Sequence, residues 1–159
     1  MHQIVTHVDI AASPERVWSI LTDFPAYPQW NPFIRSLSGV AKPGEKLRVT
    51  IQPEDRGAMI FRPRVLTVIA QQELRWLGRL GFPDLFDGKH YFQLTAFGNG
   101  QTRFIQGEKF SGVLVGLFLH RMEAATKAGF DAMNRALKER AETKEAIDQD
   151  KPDLSEGPR

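Results

Sequence analysis

The sequence predicts an α+β domain in which a long C-terminal helix covers one face of an antiparallel sheet. Between residues 34 and 110, apolar and polar residues alternate along segments separated by turn-forming residues, as expected for antiparallel strands with one covered face. Residues 113–140 instead repeat their apolar side chains at helical spacing. A chain of 159 residues with 42% hydrophobic and 25% charged side chains is long enough for one such domain.

The N-terminal segment predicts one strand and two short helices. Residues 2–10 alternate at a two-residue period, which is typical of a strand. A helix is expected to begin at Ser13 and Pro14, because a serine hydroxyl can cap free N–H groups and proline is tolerated at the first helical position. The prolines of FPAYPQWNPF then leave room for a turn and a short second helix, which brings Trp30 against the body.

Six further strands complete a predicted sheet of about seven, at residues 34–40, 45–52, 59–70, 74–80, 86–97 and 101–110. The phrases AKPGEK and FGNGQ contain the Pro, Gly and Asn that tight turns require. The final helix is expected to present one apolar stripe to the sheet, formed by Leu114, Phe118, Met122, Ala125, Gly129, Met133 and Ala136. We place the end of the domain at residue 140.

Residues 141–159 are predicted to form a polar, disordered tail. They include six acidic and three basic side chains, so the tail carries −3 and residues 1–140 carry +5. This mild basic excess does not indicate nucleic-acid binding. The longest apolar run, VLVGLFL, is far shorter than the roughly 20 residues of a membrane helix, and MHQIVTHVDI lacks the features of a secretory signal. We therefore expect a cytoplasmic protein without integral membrane association.

Metal ligands and nucleophiles find little support in the sequence. The chain has no cysteine and four histidines, and His2, His7 and His120 are predicted to point in different directions, so three ligands do not converge. The sequence also lacks the G-x-S-x-G pattern of hydrolases and the G-x-G-x-x-G pattern of dinucleotide sites. We expect neither a metal nor a cofactor.

The stretch FDGKHYFQL places a single histidine in an apolar row. At strand periodicity, His90 shares one face with Phe86, Gly88, Phe92 and Leu94. In the segment TRFIQGEKF, Gln106 and Glu108 share a face, so either could reach His90 across a hairpin. Such a pair can move protons. The same pair can also serve only to satisfy a buried polar group or to orient a ligand, so both roles stay open.

Aromatic side chains dominate the rest of the inward row. Trp76 shares its parity with Leu74 and Gly78, and it is predicted to point inward with Phe61, Phe92, Phe104, Phe110 and Phe118. An aromatic set of this kind forms either a packed core or the wall of a pocket.

Four phrases in this order resemble the polyketide-cyclase-like members of the START-related (SRPBCC, Bet v 1-like) superfamily: SPERVWSILTDFPAYPQWNPFI, FRPRVL, LRWLGRLGFPDLFDGKHYFQL and GNGQTRFIQGEKFSGVL. The resemblance covers residues 2–140. It implies a helix-grip fold, in which a bent sheet of about seven strands wraps the C-terminal helix and leaves a cavity that two short helices close at one end. The chain lacks the glycine-rich turn of the plant allergen branch, which weakens a hormone-binding analogy.

The leading functional hypothesis is the binding or transport of a small hydrophobic ligand, such as a lipid or a polyketide-like molecule. The side chains expected to line its cavity are Trp30, Phe61, Trp76, His90, Phe92, Gln106, Glu108, Phe110, Phe118 and Met122. A second hypothesis is a polyketide cyclase, aromatase or dehydratase in which His90 acts as acid–base and Gln106 or Glu108 orients it. A third is a protein-interaction module, which an exposed contiguous apolar patch would favour.

Overall fold

The computed structural model describes residues 1–149, with side chains described through residue 143, and this part of the chain contains two antiparallel sheets. The larger sheet comprises β1 (His2–Ile10), β5 (Arg64–Ile69), β6 (Glu73–Arg79), β7 (Asp87–Phe97) and β8 (Gln101–Ser111), in the order β1-β8-β7-β6-β5. The smaller sheet comprises β2 (Ile34–Ser38), β3 (Arg48–Ile51) and β4 (Met59–Phe61), in the order β2-β3-β4. Together they form the predicted bent wall.

Eight strands are found in the described residues rather than about seven, because the predicted strand at residues 59–70 is broken at Pro63. Proline has no N–H to contribute to a ladder, so a strand is interrupted where it stands. The first piece, β4, pairs with β3, and the second, β5, pairs with β6. The Leu47 N–H still donates to the Pro63 carbonyl at 2.8 Å, which keeps the two sheets joined at the break.

The short helices follow the predicted capping chemistry. The first, α1 (Pro14–Thr22), begins after Ser13, whose hydroxyl accepts a hydrogen bond from the Arg16 N–H at 3.1 Å. A 3-10 turn at Phe24–Ala26 leads into α2 (Tyr27–Trp30). Tyr27 is fully buried and donates its hydroxyl to the Leu21 carbonyl at 2.7 Å, and this burial raises the pKa of the phenol far above its usual range.

The long helix α3 (Val115–Gln149) packs on β1 and β8 and continues past residue 140, the predicted end of the domain. Ala141 is fully buried, and the Glu142 carboxylate accepts a hydrogen bond from the Ala11 N–H at 2.9 Å. The predicted boundary therefore falls inside the helix. Residues 150–159, which complete the predicted tail, lie outside the described residues. No helix in the described part of the chain is long and apolar enough to cross a membrane.

The buried stripe of α3 differs along the helix. From residue 130 onward, Phe130, Met133, Leu137 and Ala141 are buried, together with Asn134, whose amide donates to the Thr6 hydroxyl at 2.9 Å. Nearer its N-terminus, Val115 is buried, but Leu117 is 69% exposed and Phe118 is 36% exposed. The helix therefore packs closely on the sheet from residue 129 onward and less closely between residues 117 and 126.

Replacing Gly129 with alanine is expected to lower the free energy of unfolding by about 1–3 kcal/mol, the usual effect of overpacking. A Cβ atom on Gly129 would overlap the ring of Phe33, which is already packed edge-on against Phe130 with ring centroids 5.8 Å apart. Gly116→Ala is the matched control in the same helix, because nothing lies near its missing Cβ and alanine is the better helix former. Urea denaturation measures both, and equal stability of the two variants would contradict this close packing.

Candidate functional site

A cavity of about 220 Å³ lies where the first half of α3 stands away from the two sheets. This volume is several times the roughly 30 Å³ that one water molecule occupies in the liquid, so the space suits a small organic molecule. Its wall is mostly apolar and draws on both sheets and on α3, through side chains that include Phe33, Val49, Ile51, Met59, Phe110 and Ala125. The ionisable side chains of this wall are those of Arg56, Arg79, His90 and Glu108.

Three side chains of the wall form one row across the larger sheet. Trp76 on β6 lies directly opposite His90 on β7, and His90 lies directly opposite Glu108 on β8. Residues opposite each other in neighbouring strands place their side chains on the same face, so the register alone brings these three groups together. Gln106 is displaced from Glu108 by two residues and therefore reaches His90 diagonally.

The next row of the sheet explains why there is space above these side chains. Gly78 on β6 lies directly opposite Gly88 on β7, so two adjacent inward positions carry no side chain. The nearest atom to a Cβ placed on Gly78 would be the Gly88 carbonyl oxygen, 3.8 Å away. A Cβ on Gly88 would instead overlap Glu108 Oε1, so the Glu108 carboxylate lies over this glycine. Both glycines line the cavity.

Aromatic rings fix the orientation of the His90 imidazole. The indole of Trp76 stacks on it with a centroid separation of 5.0 Å and an interplanar angle of 14°. Phe92 and Phe130 meet the imidazole nearly at right angles, at 4.8 Å and 5.2 Å. The His90 side chain is only 6% exposed, so packing leaves it little freedom to rotate.

Gln106 determines which ring nitrogen of His90 carries the proton. Gln106 Nε2 lies 3.3 Å from His90 Nε2 and 3.4 Å from Met133 Sδ. A thioether sulfur can only accept a hydrogen bond, so this contact favours the NH₂ group on that side of the amide, an orientation in which Gln106 Oε1 is buried without a partner among the described side chains. The same NH₂ group meets His90 Nε2, which therefore accepts. A neutral His90 consequently carries its proton on Nδ1, the nitrogen that faces Glu108.

Glu108 is the carboxylate of the cavity wall. Its side chain is 21% exposed, and one of its oxygens lies 3.5 Å from His90 Nδ1. This separation is longer than a good N–H···O hydrogen bond, so His90 approaches the carboxylate without saturating it. The carboxylate can therefore accept hydrogen bonds from a molecule in the cavity.

The mouth of the cavity lies between the loops and the start of α3. Four side chains line the cavity and are also exposed, and they mark this opening: Arg56, Arg79, Leu80 and Phe118. Arg56 pairs with Asp55 at 3.0 Å and donates to the Arg121 carbonyl of α3 at 3.2 Å. Arg79 pairs with Asp87 at 3.4 Å. The rim therefore carries two ion pairs, in which each arginine is matched by an aspartate.

Among the residues with described side chains, no group of three or more His, Asp or Glu could hold a metal ion.

The family described as polyketide cyclase / dehydrase and lipid transport matches residues 1–142. The chain belongs to this family. No curated protein matches the chain significantly.

Solved structures share the fold of this polyketide cyclase / dehydrase and lipid transport family member. A START superfamily protein from Mycobacterium smegmatis is 23% identical, with a TM-score of 0.68 over 90% of this chain and 99% of its own. The Zhui aromatase/cyclase from Streptomyces sp. R1128 is 14% identical, with a TM-score of 0.73 over 90% of this chain and 94% of its own. A norcoclaurine synthase from Thalictrum flavum is 14% identical, with a TM-score of 0.68 over 91% and 96%. At these identities the likeness establishes the helix-grip fold.

The structure places seven of the ten predicted site residues on the cavity wall: Phe61, Trp76, His90, Glu108, Phe110, Phe118 and Met122. The other three lie outside it. Phe92 and Gln106 point inward but are fully buried beneath the wall, because the next row of the sheet packs against the second half of α3. Trp30 packs on Tyr27 instead, with ring centroids 5.1 Å apart.

Several residues of the site were not predicted from the sequence. The opposed glycines Gly78 and Gly88 share the inward parity of Trp76 and His90, so pairing of β6 with β7 in the right register could have revealed them. Phe130 follows Gly129, a member of the predicted helical stripe. It contacts His90 because of the rotation of α3 about its own axis, which the sequence pattern does not determine. Arg56 belongs to a loop whose course the sequence pattern does not determine. Arg79 lies in the predicted strand at residues 74–80, but at the parity opposite to Trp76, so alternation does not place it at the cavity.

Nitrogen-15 NMR of imidazole-labelled protein is expected to show His90 protonated at Nδ1 and unprotonated at Nε2, at a pH where the ring is neutral. In Gln106→Leu, which has no donor for Nε2, we expect the population to move toward the Nε2–H form. The exposed His120 provides the reference signal, which should be the same in both proteins. An Nε2–H form of His90 in the unaltered protein would contradict the hydrogen bond from Gln106.

Proposed function

We propose that this protein binds a small, mainly apolar molecule in the cavity between the sheets and the first half of α3. The observation that carries the proposal is a mostly apolar space of about 220 Å³ with two polar groups, His90 and Glu108, side by side on its wall. Transfer of apolar surface out of water contributes about 25 cal/mol per Å², and the few polar groups would fix the orientation of the bound molecule.

The character of the mouth supports passage of an apolar molecule. Leu80 is 54% exposed while it also lines the cavity. Phe82, Val113 and Leu117 are also exposed, and the chain segments that carry Phe82 and Val113 are linked by the hydrogen bond from the Val113 N–H to the Asp84 carbonyl, at 3.1 Å. Exposed large apolar side chains next to an opening commonly belong to a binding surface.

Filling the cavity is expected to abolish binding of an apolar probe. Ala125 lines the cavity, whereas the adjacent Ala124 is exposed on the same helix. In Ala125→Trp the indole would occupy the space, so the affinity for the fluorescent probe N-phenyl-1-naphthylamine should fall by roughly tenfold or more, the equivalent of about 1.4 kcal/mol. Ala124→Trp carries the same change outside the cavity and should bind like the unaltered protein.

Fluorescence titration of the probe, together with thermal unfolding of each variant, provides the measurement. A folded Ala125→Trp protein that retains full affinity would show that the probe binds elsewhere and would count against the cavity as the binding site.

A second candidate function is acid–base chemistry on a carbonyl compound, in keeping with the cyclase members of the family. The observation that favours it is the adjacency of His90 and Glu108 on the wall of a largely apolar cavity. Because Gln106 donates to His90 Nε2, the lone pair of the imidazole is engaged, and Glu108 is the better placed proton acceptor. In this version His90 orients the carboxylate rather than acting as the base.

Hydrogen–deuterium exchange of the methyl group of 2-acetonaphthone tests this second function. If Glu108 removes a proton next to the carbonyl, the unaltered protein should accelerate exchange in D₂O, and Glu108→Gln should lose roughly a hundredfold or more of that acceleration. Glu139→Gln, an exposed substitution on α3, serves as the control. Exchange at the buffer rate, or acceleration that survives in Glu108→Gln, would leave ligand binding as the function of the cavity.

A further inference from the structure

Glu108 differs from the other ionisable groups of the cavity wall in its hydrogen bonding. Arg56 is held by Asp55 and by the Arg121 carbonyl, Arg79 pairs with Asp87, and His90 receives a hydrogen bond from Gln106. Within the part of the chain that the structure describes, no close hydrogen bond to the Glu108 carboxylate is found, and His90 Nδ1 lies 3.5 Å from one of its oxygens. The carboxylate is nevertheless only 21% exposed.

A carboxylate in such a position is solvated through the cavity. Glu108 is partly exposed, so water can reach its oxygens when no ligand is bound. A ligand that displaced this water without replacing its hydrogen bonds would leave a charged acceptor unpartnered, which would weaken binding. Whatever fills the cavity therefore meets a hydrogen-bond acceptor at this point of the wall.

We propose that the ligand of this cavity is a hydroxylated apolar molecule, a phenol or an alcohol, whose hydroxyl group donates to Glu108. The inference rests on the proposed function and specifies the ligand class of the same site. A ligand that presented only a carbonyl or an ether oxygen would set one acceptor against another and would bind more weakly.

Desolvation favours a neutral donor over a cationic one. The two arginines of the rim are each paired with an aspartate, and His90 already turns an N–H toward Glu108. An ammonium group would have to give up its water in a mostly apolar cavity, where one carboxylate cannot accept from all three of its N–H groups. A hydroxyl group has a single proton to donate and loses less hydration.

Gln106 and His90 act in this scheme as positioning residues. Gln106 fixes the proton of His90 on Nδ1, and that N–H faces one oxygen of Glu108. The other oxygen lies over Gly88, where any side chain would overlap it. The carboxylate is thus located from two sides before a ligand arrives, which reduces the conformational entropy lost on binding.

Equilibrium dialysis with three naphthalenes of one shape tests the proposal: 2-naphthol, 2-methoxynaphthalene and 2-(aminomethyl)naphthalene. The methoxy compound is the more hydrophobic of the first two, so burial alone would favour it. A hydrogen bond to a carboxylate is worth about 1.5–3 kcal/mol, so 2-naphthol should bind roughly tenfold or more tightly than either companion. In Glu108→Gln this preference should shrink severalfold while the affinity for 2-methoxynaphthalene is retained, and Glu139→Gln should behave as the unaltered protein.

The retained affinity for 2-methoxynaphthalene in Glu108→Gln shows that the variant is folded and that its cavity is intact. Equal binding of naphthol and methoxynaphthalene, tightest binding of the amine, or a naphthol preference that persists in Glu108→Gln overturns the inference while ligand binding stands. Absence of binding by all three compounds in the unaltered protein overturns the proposed function and this inference with it.

Discussion

The register of strands β6, β7 and β8 is the constraint on which the site depends. Because side chains alternate between the two faces of a strand, a shift of one residue in either pairing would turn His90 or its neighbours to the outer face. The observed register places Trp76, His90 and Glu108 in one row and opposes Gly78 to Gly88 in the next. The first row provides the polar groups of the site, and the two glycines of the second row leave room for the cavity next to them.

The order of the elements follows from local patterns in the sequence, and so does most of the wall. Alternation placed His90 on the inner face of β7, and capping by Ser13 placed the start of α1. The division of the wall at Pro63 was missed because alternation continues across the proline, although the ladder cannot. Phe92 and Gln106 show a deeper limit. Inward parity does not say whether a side chain lines a cavity or lies beneath it, since that depends on where α3 departs from the sheet.

The departure of α3 has its own physical basis. From Gly129 onward the helix presents Phe130, Met133 and Leu137, which are fully buried, and Gly129 itself admits the ring of Phe33. Its first half carries smaller or more exposed side chains toward the sheet, and the sheet meets it with the two glycines. Close packing is therefore concentrated at one end of the helix. The stability of the fold can rest on that end, while the other end remains open for a ligand.

The buried polar chain from Met133 through Gln106 and His90 to Glu108 links these two ends. Its first members lie in the packed region, where Gln106 is fully buried, and its last member lies on the cavity wall. Buried polar groups hold defined positions only when their partners do, so the packed half of α3 determines how the carboxylate is presented. A ligand that donates to Glu108 would supply a hydrogen bond to the last of these side chains. Its binding would raise the free energy of unfolding by RT ln(1 + [L]/Kd). Ligand recognition and fold stability therefore depend on the same connected side chains.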